Sequence, residues 1–435
     1  MEVIVIELQR FFIDFDDGLH EILHSGLPHL IGLFWPFFLI ELNRYLFVDV
    51  YVLCKSFQKQ VCEPFPCPTK PPPQVSVIMS VLNEGGTIEA SVRSLQEQDY
   101  PNIEIIVVDD GSTDHTLDIC RKLAAEGAIR LFPMENRQGK SGALTYGCRV
   151  ARGDYLVFMD SDSSLDRRAI RHILQPFQDE NVGAVGGNVG VRNLYTNLLT
   201  RLQGFEYLCG ITVGRQFRAG MGILGIVSGA FGAFRRSLVE RVGWHEPGPG
   251  NDSDLTIRIR KMGKQVAFAP KAICLTNAPL TWEKWVRQRL RWNRNIIRNR
   301  IRKHRDTFNI YSDHFNVQNI VSFLDTLAFS VGLAGIWLVY MIQLMLFEHH
   351  NYIVIFVINL IMFSAAKFLQ ILIALQVSGR FASDWRLISV IPGMVLYRII
   401  EKIVRIVACV QEIFFRTSYH DPFAPEKVRQ QVPLH

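Results

Sequence analysis

Asp160-Ser161-Asp162 directly follows the apolar run Tyr155-Leu156-Val157-Phe158-Met159, and Asp252 and then Gln288-Arg289-Leu290-Arg291-Trp292 come after it in the chain. Two carboxylates one residue apart at the end of a strand approach a hard cation from one side, so Asp160 and Asp162 are candidate ligands for Mg2+ or Mn2+. Standing alone, such a pair is better explained as a solvated turn; the ordered set is what favours chemistry. Asp252 sits in Gly248-Pro249-Gly250-Asn251-Asp252-Ser253-Asp254, a glycine-rich turn opening an amphipathic stretch, and is the candidate general base. Asp254 is expected to be a first-turn carboxylate favoured by the helix dipole. Gln288, Arg291 and Trp292 offer an amide, a planar guanidinium fork for a diphosphate and an aromatic face for a sugar ring.

Further upstream, Asp109-Asp110-Gly111-Ser112-Thr113-Asp114 closes another apolar run. Asp109 and Asp110 suit hydrogen bonds to a nucleoside, as strand-end carboxylates do in other nucleotide folds. They suit capping of the next helix equally, a task open also to Ser112 and Asp114. Lys140, in Asn136-Arg137-Gln138-Gly139-Lys140, can supply positive charge to a base or diphosphate, or can be an ordinary surface lysine.

Short apolar runs alternating with amphipathic stretches from Val75 onward position these residues, the pattern of an α/β sheet with helices on its faces. Strands are expected at Val75 to Val81, Glu104 to Val108 and Tyr155 to Met159, with a helix at Thr87 to Gln98. Carboxylates then fall at carboxyl ends of strands, where open α/β sheets bind ligands.

With 435 residues, 49% hydrophobic and 20% charged, the chain is too apolar for an ordinary soluble enzyme and too charged for a pure membrane bundle. Residues 1 to about 25 set Phe11, Phe12 and Phe15 against Asp14, Asp16 and Asp17, which suits an interfacial helix. Leu27 to Cys54 is apolar enough to cross a bilayer but is interrupted by Glu41, Arg44 and Asp49, which must then face protein or water. Pro64, Pro66, Pro68 and Pro71-Pro72-Pro73 make a stiff linker. Ile320 to Phe347 and Tyr352 to Val377 are long enough to span, separated by Glu348-His349-His350-Asn351. Leu387 to Ile413 is a third candidate, with Arg398, Lys402 and Arg405 on one helical face. That face is either a polar seam along a channel or the solvated side of an interfacial helix.

Arg287, Arg289, Arg291, Arg294, Arg298, Arg300, Arg302, Lys303 and Arg305 crowd just before these stretches. This positive-inside pattern places the soluble part in the cytoplasm and explains the charge by anionic headgroups rather than nucleic acid. The eight cysteines lack the paired spacing of a zinc site and are read as reduced. Glu2 and Glu7 stand where a signal peptide has basic residues, so retention by the chain's own spans is expected.

The ordered motifs Ser80-Val81-Leu82-Asn83-Glu84, Val108-Asp109-Asp110-Gly111-Ser112, Gly139-Lys140, Asp160-Ser161-Asp162, Gly250-Asn251-Asp252 and Gln288-Arg289-Leu290-Arg291-Trp292 resemble those of the membrane-bound family 2 glycosyltransferases. The similarity runs from about Gln74 to Arg305, and is to processive synthases of hyaluronan, chitin, poly-N-acetylglucosamine and cellulose. The resemblance implies a GT-A α/β domain inserted between N- and C-terminal transmembrane and interface helices, in the plasma or inner membrane with the catalytic domain facing the cytoplasm. It implies a UDP-sugar donor, a divalent metal, inversion at the anomeric carbon, a glycan acceptor and export of the product through the chain's own spans. By the same resemblance Asn83, Glu84, Asp109, Asp110, Lys140 and Asp160 bind the donor and Asp162 with Asp160 holds the metal. Asp252 is the base, and Gln288, Arg291 and Trp292 border the acceptor and diphosphate. Gly229-Ala230-Phe231-Gly232 loosely matches a small-residue acceptor loop.

The implied division is 1–73 for an N-terminal interfacial helix, span and linker, 74–281 for the catalytic domain, and 282–318 for interface helices. Residues 319–412 form the C-terminal membrane region and 413–435 a tail. It leaves room for an accessory export protein or a homo-oligomer. The chain departs from the family pattern at Asn251, where an acidic residue is usual. It also lacks an F-x-V-T-x-K gating loop, of which Phe415-Arg416-Thr417-Ser418 is a faint analogue. If all three C-terminal candidates cross, this tail lies outside, away from a cytoplasmic site. Two other readings remain: single-sugar addition to a lipid, as in ceramide glucosyltransferases with a related Q-x-x-R-W motif, and a catalytically silent assembly subunit. The second requires missing acids, and all are present.

Overall fold

The computed structural model describes residues 2–57, 72–312, 315–348, 351–420 and 425–426. Pro64, Pro66, Pro68, Pro71, Cys62, Cys67, His349 and His350 lie outside the described residues. The chain divides into two compact units: Met1–Gln58 with Leu327–Ile406, and Lys59–Thr326 with Val407–His435.

The second unit is built on an eight-stranded sheet of β1 (Val75–Val81), β2 (Ile103–Asp109), β3 (Arg130–Pro133), β4 (Tyr155–Met159), β5 (Ser164–Leu165), β6 (Val182–Val191), β7 (Phe231–Arg235) and β8 (Gln265–Thr276). Its order is β3-β2-β1-β4-β7-β6-β8-β5. Val77, Ile78, Met79, Ile106 and Val107 are fully buried, because helices cover both faces of these strands and leave no polar side to alternate with. Strands β1, β2 and β4 and the helix Ile88–Gln96 fall within one or two residues of the sequence expectation, while the other five strands were not expected there.

The sheet is mixed rather than parallel throughout. β1 pairs in parallel with β2 and β4, while β7 runs antiparallel to both β4 and β6. This reversal matters for chemistry. The pairing of Met159 with Phe231 sets the turn before β7 against the end of β4, and Asp160 N–H donates to Ala230 O. Gly187 in β6 has no room for a side chain, since a Cβ there would stand 2.1 Å from the Phe231 ring.

After β8 comes the helix Trp282–Ile297, continued as a π-helical turn at Arg298–Lys303. Residues 411–419 belong to the same unit. Arg302 binds Glu412 over 2.7 Å, Arg298 lies 5.1 Å from the Tyr419 ring centre, and Arg294 donates to Gln411. Residues 411–419 thus pack on the basic segment of this unit.

In the first unit, the helix Glu2–His24 precedes Leu27–Leu33, a π-helical turn at Phe37–Glu41 and the helix Leu42–Phe57. Of the expected spans, Tyr352–Ser378 is the one helix among the described residues long and apolar enough to cross a membrane; Leu333–Phe347 is apolar but shorter. The basic face of the helix Ile391–Phe415 is turned inward rather than solvated: Lys402 lies 3.7 Å from buried Glu41, and Arg398 and Arg405 bind buried Glu401 at 2.6 and 2.8 Å. Its apolar residues Leu396, Ile400 and Ile403 are the exposed ones.

Candidate functional site

The turn after β1 contains a left-handed residue, Asn83, with φ of 57°. Asparagine tolerates this region better than most side chains. Its side-chain oxygen accepts from Thr113 N at 2.9 Å, and its own N–H donates to Ser112 Oγ at 3.0 Å. Glu84 N donates to Thr116 Oγ1, so the turn after β1 is stitched to the loop after β2. Asp109 and Asp110 are both buried at the end of β2. Asp109 accepts from the N–H and hydroxyl of Ser112 and so closes the loop after β2, whereas Asp114 accepts from the N–H of Thr116, the first residue of the next helix, at 3.0 Å. Asp110 instead reaches across to accept from Gln138 N at 2.7 Å, and burial raises its carboxyl above the ordinary range. Gly111, with φ of 81°, turns the chain directly after them.

Asp160 and Asp162 stand where β4 ends. Asp162 accepts from Thr276 Oγ1 and Ser163 Oγ, both at 3.3 Å. Burial, and next the charge of Asp160, raise its carboxyl above the usual value. Burial also raises Glu84, with Asp162 and Asp160 adding to the effect, so three carboxylates share one field. Among the described residues no group of three or more His, Cys, Asp or Glu side chains is arranged to hold a metal on its own. The Asp160/Asp162 pair nevertheless fits Mg2+ or Mn2+, because such ions are commonly held by one or two carboxylates completed by substrate phosphates and water.

Lys140, in the first turn of the helix Gly139–Val150, forms an ion pair with Asp160. A Cβ placed on Gly229 would stand 3.7 Å from both Lys140 Nζ and Asp252 Oδ2. The ammonium, the strand-end carboxylate and Asp252 therefore converge on this turn, which the antiparallel β7 delivers. Asp252 lies in the first turn of the helix Asn251–Lys261, entered through Gly250 at φ of 73°. Its carboxylate accepts from Ser253 N at 2.7 Å and Gly229 N at 3.2 Å. Asp254 has a different task. It is buried, accepts from His304 Nε2 at 2.8 Å, and binds Lys303 and Arg258 at 2.6 and 3.0 Å.

Gln288, Arg291 and Trp292 lie on the helix Trp282–Ile297. Arg291 adds its charge to the field at Lys140, which places it on the side of the acidic cluster. Arg289 covers Trp292 at 4.5 Å and is anchored by Glu206 at 2.6 Å. Trp285 is fully buried, so it is a packing residue. Gln288 Oε1 is buried with no partner among the described residues.

Several neighbours carry no local signal in the sequence. Thr276, 114 positions from Asp162, reaches it only because β8 carries the chain back alongside β5. Arg215, lowered to about 10 by burial, faces the charge of Asp252 from the helix Gly214–Gly220. Glu206 is found only through its contact with Arg289.

The description "Glycosyl transferase family 2" matches residues 76–243. A probable glycosyltransferase of Bacillus subtilis is 34% identical over 230 residues, 51% of this chain and 55% of that protein. The poly-beta-1,6-N-acetyl-D-glucosamine synthase of Staphylococcus epidermidis is 27% identical over 220 residues, 50% of this chain and 53% of that protein. The chain thus spans about half the length of these curated relatives. A solved mannosyltransferase from Pyrobaculum calidifontis, in complex with GDP-Man and Mn2+, superposes with a TM-score of 0.54 at 20% identity, over 85% of this chain and 96% of that one. It shares the GT-A-like fold with its mixed sheet. The strand-end carboxylates, the turn before β7 and the helix bearing Asp252 are thus set in a chain whose residues 76–243 match the glycosyl transferase family 2 model.

Proposed function

We propose that this chain is an inverting, membrane-embedded glycosyltransferase that transfers a sugar from a UDP-sugar to the end of a growing β-linked polysaccharide and passes the product through its own membrane region. The observation that carries this reading is the convergence of Lys140, Asp160 and Asp252 at Gly229. The likeness to the poly-beta-1,6-N-acetyl-D-glucosamine synthase supports the polymer as product.

In this reading Asp110, Asp109, Asn83 and Glu84 floor the nucleoside site, and Lys140 and Arg291 face the diphosphate. Asp160 and Asp162 would hold Mg2+ or Mn2+, which supplies positive charge to the departing UDP. Asp252 takes the proton from the acceptor hydroxyl as its oxygen attacks the anomeric carbon. The bond to the diphosphate breaks on the opposite face, and UDP leaves with that electron pair. Gly229 N–H and Ser253 N–H orient the carboxylate for this task. Gln288 and Trp292 border the acceptor.

Tyr352–Ser378 is the helix best suited to anchor the chain in a plasma or inner membrane, with the arginine-rich segment on the cytoplasmic face. Packing of residues 411–419 on Arg294, Arg298 and Arg302 supports a tail on that same face. It therefore supports an even number of crossings between residues 319 and 406.

The test is to incubate the purified full chain with UDP-glucose, UDP-N-acetylglucosamine, UDP-glucuronate and UDP-galactose, measure UDP release and size the products. Release with one donor and a long product is the expected result. A one-sugar glycolipid would transfer the reading to lipid glycosylation, and no release with any donor or metal would end it.

A further inference from the structure

Beside the carboxylate pair, the loops that leave β6 and β8 run together and enclose a cleft of about 470 Å³ lined by Asn193, Thr196, Asn277, Leu280, Lys284 and Gln288. Its walls are braced. Arg192 N donates to Thr276 O at 2.8 Å, Asn193 exchanges two 2.8 Å bonds with the backbone of Ala278, and Asn197 Nδ2 donates to Leu280 O at 2.9 Å. The cleft opens next to the proposed reaction centre, because Thr276, which binds Asp162, immediately precedes Asn277.

One helix lines the cleft with Lys284 and Gln288 and carries Trp292 one turn beyond them. Lys284, Gln288 and Trp292 recur every four residues on the helix Trp282–Ile297 and so share a face. From first to last they extend about 12 Å at 1.5 Å per residue, longer than one pyranose ring. Trp292 is 38% exposed, Gln288 Oε1 is buried without a partner among the described residues, and Leu280 is 48% exposed. An apolar wall, side-chain amides and an exposed indole suit a carbohydrate, whose rings have apolar faces and hydroxyl edges. The charge is one-sided. Among the described residues no carboxylate lines the cleft, and Glu283, the acidic neighbour of Lys284, is engaged by Arg287.

We propose that this cleft is an acceptor subsite for an anionic sugar unit, a uronate or a phosphorylated sugar, whose charge is read by Lys284 while Gln288 and Asn277 bind its hydroxyls and Trp292 stacks on the adjoining ring. The inference deepens the proposed glycosyl transfer and rests on it for the direction of the chain. Binding to the cleft can nevertheless be measured without turnover.

The experiment uses the full-length purified chain carrying Asp252→Asn, titrated by calorimetry with size-matched neutral, uronate-containing and phosphorylated oligosaccharides. Both anionic series are expected to bind about tenfold more tightly than the neutral one, the worth of one charge-assisted hydrogen bond. Lys284→Gln in that background is expected to bring the ratio near one, and Lys284→Arg to restore it. Preference for only one anionic series identifies the ligand and upholds the site. Equal affinity for all three series, or a preference that survives Lys284→Gln, overturns it. Because these readings use a chain that lacks the proposed base, loss of the charge preference and loss of UDP release in the parent are separate failures.

Discussion

The backbone N–H of Gly229 donates to Oδ2 of Asp252 across 3.2 Å, joining the turn before β7 to the first turn of the helix Asn251–Lys261. A second bond from Ser253 N to Oδ1, at 2.7 Å, fixes the other oxygen. The carboxylate is therefore held in one orientation before any substrate arrives, and each oxygen retains lone-pair capacity for an acceptor hydroxyl. Asp252→Asn keeps the shape and one acceptor oxygen but removes the basicity. UDP release should fall by about 10²- to 10⁴-fold while thermal stability stays near that of the parent. A variant that released UDP within threefold of the parent would remove Asp252 from the reaction.

Asp162 depends on Thr276 for one of its two side-chain hydrogen bonds. Partners that orient a metal-binding carboxylate commonly contribute 10- to 100-fold to metal affinity, so Thr276→Val should raise the Mn2+ concentration for half-maximal UDP release by about tenfold. Asp162→Asn should raise it further, and a chelator should stop release until Mg2+ or Mn2+ is restored. Activity unaffected by chelation would assign the diphosphate charge to Lys140 and Arg291 alone.

Asp254 illustrates how far spacing can be read. Its place in a first helical turn follows from the sequence, but not its role, because its partners Lys303 and His304 are about fifty residues away. Burial pushes its carboxyl up, yet the His304 hydrogen bond and the charges of Arg258 and Lys303 outweigh this and hold it well below the ordinary range. Lys261 in turn donates to His304 Nδ1 at 2.9 Å. Asp254→Ala leaves these cations without their buried counter-charge and should destabilise the catalytic unit by about 3–5 kcal/mol, visible as a lower denaturation midpoint. Its stabilising effect is fully present above the unfolded carboxylate value and is lost as pH falls toward the depressed folded one.

Strands β1, β2 and β4, with the carboxylates that close β2 and β4, were legible because their information is local: an apolar run bounded by acids marks a strand end wherever the strand sits. Strand direction was not, since Phe231–Arg235 is equally apolar whether parallel or antiparallel to β4, and only the long connection through residues 192–230 decides it. The basic face at Arg398, Lys402 and Arg405 was visible as a face, but its inward direction depends on Glu41, far away in sequence. Ile320 to Phe347 counts as one apolar run, yet the structure passes through a π-helical turn at Ala328–Gly332 and leaves Leu333–Phe347 as its apolar part.

His245 gives the catalytic unit an acid-sensitive element. Its ring is 7% exposed, meets Phe158 edge-on at 4.7 Å, and has no hydrogen-bond partner for either nitrogen among the described residues. Burial, reinforced by the positive charges of Arg258 and Lys140 and opposed by Asp254, lowers its pKa to about 3. An unfolded histidine takes up its proton near pH 6.5, so between that pH and about 3 the unfolded chain binds the extra proton. Stability from this group is complete above pH 6.5 and declines on acidification, by about 2 kcal/mol between pH 7 and pH 5. His245→Phe retains an aromatic ring against Phe158 and leaves the backbone carbonyl that accepts from Thr145 Oγ1. Urea denaturation at pH 7 and pH 5 should show a smaller loss for the variant than for the parent by about that amount. Equal losses would mean that His245 is protonated in the folded chain, with a counter-charge or water beside its ring.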